Sequence, residues 1–137
     1  FIDAFAIRKL IEAKKIITKT EKMPVELNKY PRSDSQITKY NWIDLDKHYK
    51  RESNQTVSRG IYDVCNNIIH SYIFLPIVNV DKKLDGLYFS SDKTKEKHLY
   101  FIKACDWCEA VESVANSWPN SQYWRFDDEL GEIIVNE

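Results

Sequence analysis

Residues 54–80 read NQTVSRGIYDVCNNIIHSYIFLPIVNV, and the change of period inside this stretch decides the fold class. Val57, Ile61, Val64, Cys65, Ile68 and Tyr72 follow one another at steps of 4, 3, 1, 3 and 4, which puts them on one face. The spacing predicts one amphipathic helix over about residues 54–72, with Ser53 or Asn54 able to cap its start. After Tyr72 the helical period stops. Ile73-Phe74-Leu75-Pro76-Ile77-Val78-Asn79-Val80 is rich in β-branched and aromatic residues and reads as a strand. Pro76 has no N–H for a ladder, so that strand is expected at a sheet edge or bulged.

The pattern continues on both sides. Downstream, a turn ending at Gly86 leads to Leu87-Tyr88-Phe89-Ser90, and a charged turn leads to His98-Leu99-Tyr100-Phe101-Ile102-Lys103. Three strands with short connections predict an antiparallel meander. A helix is expected over about residues 106–116, with Trp107, Val111, Val114, Ala115 and Trp118 facing the core, ended by Pro119-Asn120. Residues 123–126 and 132–135 then read as a closing hairpin around the acidic turn Asp127-Asp128-Glu129. Upstream, residues 1–19 read as a helix with a basic outer side, and residues 23–53 as a turn-rich but aromatic, packed excursion holding a short helix. The order of elements predicts one α+β domain over residues 1–137. Two to three helices pack on one face of an antiparallel sheet of about five strands. The chain opens without Met and already in a helical pattern, so it is expected to start inside a longer polypeptide.

Composition removes several function classes. A chain of 137 residues buries about two thirds of its unfolded surface, enough for one core. Its 20 basic and 21 acidic residues nearly cancel and form no basic block, which argues against a protein built mainly to neutralise nucleic-acid phosphates. With three glycines and neither GxGxxG nor GxxxxGK[ST], the two common nucleotide-cradling loops are absent. No apolar run approaches the roughly 20 residues that span a bilayer, so no membrane partner is expected. Three cysteines cannot all pair within the chain, which points to a reducing, cytoplasmic setting.

One line of side chains carries chemistry. On the expected helix, Arg59 lies two turns before Asn66, and His70 one turn after it. A guanidinium, an amide and an imidazole in a row can bind a phosphate or cleave RNA. His70 would then be the general acid or base, Arg59 the stabiliser of developing negative charge and Asn66 a hydrogen-bonding support. The stretch Cys65-Asn66-Asn67-Ile68-Ile69-His70 resembles the motif of HEPN domains: arginine, a polar residue that is often Asn, three variable residues and His. Asn66 and His70 match, and Cys65 stands where the family has arginine. The resemblance implies a relative of ribonucleases of toxin, antiviral and CRISPR-associated systems, or of their non-catalytic members, which commonly act as dimers. With the family arginine replaced, a non-catalytic role is the expectation. A metal-independent ribonuclease using His70 stands as the alternative.

Two further groups read as structural. Cys105-Asp106-Trp107-Cys108 is a CxxC at a strand-to-helix junction, where Cys108 is expected to share a buried side with Val111 and Ala115. A zinc site would have to recruit His98 as a third ligand. The acidic turn lacks EF-hand spacing and reads as solvated. The expected function is an interaction or accessory module of a bacterial defence or toxin–antitoxin system, without cofactor or metal. A protein partner or a homodimer is expected first, through an exposed aromatic near Trp42 or Trp124, and RNA second.

Overall fold

The computed structural model describes residues 1–117, 123–129 and 131–136. Five strands form one antiparallel sheet: β1 (Pro24–Pro31), β2 (Gln55–Gly60), β3 (Ser71–Val78), β4 (Leu84–Ser91) and β5 (His98–Lys103). Their spatial order is β2-β1-β5-β4-β3. The helices are α1 (Ile2–Glu12), α2 (Thr18–Glu21), α3 (Leu45–His48), α4 (Ile61–Ile69) and α5 (Ala104–Ala115). A separate hairpin pairs β6 (Tyr123–Asp127) with β7 (Glu132–Asn136). This is the α+β architecture the sequence predicts. The meander β3-β4-β5 is present, and β3, with Pro76, is an edge strand.

The period-2 alternation of the strands divides their side chains between two cores. Val25, Leu27, Phe89, Tyr100 and Ile102 face the helices, where they meet Ala4, Ile7 and Ile11 of α1, Ile61, Val64, Cys65 and Ile68 of α4, and Ala110 and Val114 of α5. Tyr30, Ile73 and Leu99 face the other way and are covered by Ile37, Leu45 and Tyr49 of the segment after β1. That segment is fastened by polar groups. The fully buried ring of His48 bonds Ser35 Oγ through Nδ1 (2.6 Å) and the Asn41 carbonyl through Nε2 (2.8 Å). The Tyr49 hydroxyl donates to the Lys95 carbonyl at 2.7 Å, and Arg32 reaches Glu96 at 2.9 Å.

Four expectations change. The helix predicted over residues 54–72 is a strand followed by a nine-residue helix, because β2 pairs with β1 from Gln55 to Gly60. Gly60 takes an extended conformation (φ −60°, ψ 145°) and caps α4. The four-residue step from Val57 to Ile61 is therefore a coincidence across a junction: Val57 meets the helix-side core from the sheet. The first helix ends at Glu12 and not near residue 19; Lys14, in the left-handed region at φ 54°, breaks it. Residues 24–31, read as turn material for their prolines, form β1, whose prolines stand only at its two ends where a missing N–H is tolerated. On α5 the buried positions are Ala110 and Val114, with Trp107 and Val111 half-buried, whereas Cys108 and Ala115, expected on the buried side, are exposed. Trp118, Pro119 and Asn120 lie outside the described residues.

Candidate functional site

The helix α4 crosses the sheet from β2 at one edge to β3 at the other, and His70 is the residue that ends it. The His70 backbone is fixed from two sides. Its N–H donates to the Asn66 carbonyl (3.0 Å), and its carbonyl accepts from the Asp92 N–H (3.2 Å) in the turn after β4. That turn is itself held by Thr94 Oγ1, which takes the Ser91 N–H at 3.1 Å. Between α1, the end of α4 and this turn lies an open cleft of about 630 Å³. Arg8, Asn66, His70, Asp92 and Lys93 are among its lining residues.

Asn66 and His70, picked out by sequence, do line one site. Arg59 does not join them: it belongs to β2, not to α4, and its Nη1 bonds the neighbouring Ser58 carbonyl at 3.0 Å. The guanidinium at the cleft comes from Arg8, a residue of α1 whose Nη1 lies 3.3 Å from His70 Nε2. Sequence reading passed over Arg8 as one of several basic residues on a solvated helix face. No local pattern announces a contact across 62 positions.

The electrostatics follow from these contacts. Arg8 Nε also bonds Glu12 at 2.7 Å, and Lys9 reaches the same carboxylate at 3.0 Å. Arg8 and then Lys9 hold the Glu12 carboxyl down at about 2, and Glu12 in turn raises the Arg8 pKa. A guanidinium can only donate, so its contact casts His70 Nε2 as the acceptor and leaves the ring proton on Nδ1. The Asn66 amide makes no hydrogen bond among the described residues, and Lys93 has no carboxylate partner there. Asp92 is engaged by Lys95 at 2.6 Å. The cleft thus offers two cations, a free amide and an imidazole ring within one open site.

The other candidates separate. His98 opens β5 and Cys105 follows its end, so the strand, at about 3.3 Å per residue, keeps them roughly 20 Å apart and rules out a shared zinc. Among the described residues no group of three His, Cys, Asp or Glu is placed to hold a metal ion. Asp128 and Glu129 are exposed beyond β6. Trp42 is half-buried against the second core, and the Trp124 side chain lies outside the description. No helix among the described residues is long and apolar enough to cross a membrane. Comparison with known proteins finds no matching family model, no matching curated protein and no matching solved structure.

Proposed function

We propose that the chain is a non-catalytic interaction module that docks through α1, with the Arg8–Asn66–His70 cleft receiving an anionic group at the rim of the contact. The observation that carries this reading is that one helix presents both parts of an interface. Ile2 (82% exposed) and Phe5 (50% exposed) stand outward on α1, and Arg8 of the same helix enters the cleft. An apolar centre bordered by polar groups is the usual anatomy of a protein contact. The occupant we assign is a second copy of this chain. Across a two-fold axis α1 meets itself antiparallel, which sets Asp3 near one end of the helix against Lys9 near the other. The three free thiols fit a reducing cytoplasm, and a bacterial defence or toxin–antitoxin setting follows from the Asn66-x-x-x-His70 resemblance.

Light scattering across a concentration series tests the docking. The wild type should pass from monomer to dimer, and Ile2→Glu with Phe5→Glu should remain monomeric with an unchanged melting temperature. A wild type that stays monomeric throughout overturns the assignment of a second copy.

A second reading is favoured by the exposed Arg8–His70 contact: metal-independent cleavage of RNA, with His70 moving the proton of the attacking hydroxyl and Arg8 stabilising the negative charge that develops on the phosphoryl oxygens. Labelled single-stranded RNA incubated with the protein and EDTA separates the two. The non-catalytic module leaves it uncut. Cleavage that His70→Ala abolishes would install the second reading.

A further inference from the structure

Exposure removes the packing role expected of Cys108, and Cys105 has none either: both thiols face solvent and neither belongs to a core. The apolar side of α5 is made by Ala110 and Val114, with Trp107 and Val111 packed beside them. What remains is a pair of thiols on one helix, three residues apart and open to reagents.

The backbone fixes how closely they can meet. β5 ends at Lys103, whose extended conformation (φ −69°, ψ 143°) leads straight into α5, so Cys105 and Cys108 lie on its first turns. Residues three apart on an α-helix have Cα atoms about 5 Å apart, from its rise, radius and 3.6-residue turn. That separation falls inside the range of roughly 4.4–6.8 Å that a disulfide spans. Their Cβ atoms, about 5–6 Å apart on a regular helix, must close to about 3.5–4.5 Å. The start of α5 can yield that much. The first four N–H groups of a helix have no partner within it, and no side-chain hydrogen bond caps this end among the described residues. Cys105 Sγ lies 4.0 Å from Asp106 Oδ1, a contact loose enough to be left by a rotation about χ1.

We propose that Cys105 and Cys108 are a redox-active dithiol that closes reversibly by exchange with low-molecular-weight disulfides of the glutathione class. One cysteine, as thiolate, attacks the disulfide; its sulfur–sulfur bond breaks and one glutathione leaves as the thiol. The second cysteine then attacks the sulfur of the first and expels the other glutathione. The pair gives up two electrons and two protons, and the reagent takes both to become two thiols. In a reducing setting such a pair rests open and closes transiently. The site shares no residue with the Arg8–His70 cleft, and the buried Cys65 takes no part.

The test equilibrates the full chain with reduced and oxidised glutathione over a series of ratios and blocks the remaining thiols with N-ethylmaleimide. Trypsin cuts after Lys103 and next after Arg125, so both cysteines fall in one peptide, residues 104–125. The expected peptide is lighter by two hydrogen atoms, carries no maleimide, and regains both thiols with dithiothreitol. Cys105→Ser and Cys108→Ser should each stop at one bound glutathione. Either should hold at least about tenfold more mixed disulfide than the wild type, because the second thiol acts from the same helical turn at high effective concentration. A wild type that stops at the mixed disulfide, links two chains, or stays open in excess oxidised glutathione would overturn the pair. So would a closed form without the near-ultraviolet circular dichroism of the native chain, since closure would then belong to the unfolded state.

Discussion

Under the proposed HEPN likeness Cys65 takes the place of an arginine, and its surroundings leave no room for one. The thiol is fully buried in the core that α1, α4 and the sheet build together. A guanidinium at that point would be an unpaired cation in an apolar interior, among the most costly of single changes. Burial also sets the chemistry of the thiol, pushing it up to about 12, so almost no thiolate forms at neutral pH. Cys105 and Cys108, on the first turns of α5, are exposed. A colorimetric thiol reagent should therefore count two reactive groups in the native protein and three in denaturant. Rapid modification of all three under native conditions would mean that the α1–α4 seam opens freely.

Among the elements, β4 and β5 meet closely at Gly86. A Cβ built on Gly86 would overlap the Phe101 ring and come within 2.5 Å of the Ile102 carbonyl oxygen. The ring lies over the glycine of the neighbouring strand, and the carbonyl belongs to backbone, which has little room to yield. Gly86→Ala should destabilise the fold by about 1–3 kcal/mol, the usual cost of overpacking, read as a lower urea midpoint at an unchanged slope. The same pair of strands shows what local pattern makes legible. The apolar runs rich in β-branched and aromatic residues at 73–78 and 98–103 announced β3 and β5, because each strand has one side against each core. β1 and β2 were hidden for opposite reasons. Pro24, Asn28 and Pro31 suggest a turn wherever pairing to two neighbours is not known, and Val57 happens to continue the stripe of α4. Asn66 and His70 could be found as a helical pair. Their guanidinium could not, since it depends on α1 docking beside α4, a long-range event that neither helix encodes alone.

For the molecule as a whole, acid stability draws on two separate groups, His98 of β5 and Glu12 of α1. His98 is depressed from 6.5 to about 4 in the folded chain, so between those values the unfolded chain binds the extra proton. Stability therefore rises with pH through that window, and acidification from 6.5 towards 4 erodes it. Glu12 is depressed from 4.5 to about 2 by Arg8 and Lys9; its contribution is present above 4.5 and disappears as pH falls towards 2. The two windows follow one another, so the acid limb of a plot of urea midpoint against pH should carry two components. His98→Gln should flatten the upper one and leave the lower, while Arg8→Gln should flatten the lower and leave the upper. A single limb unaffected by His98→Gln would mean that the ring does not titrate within that window.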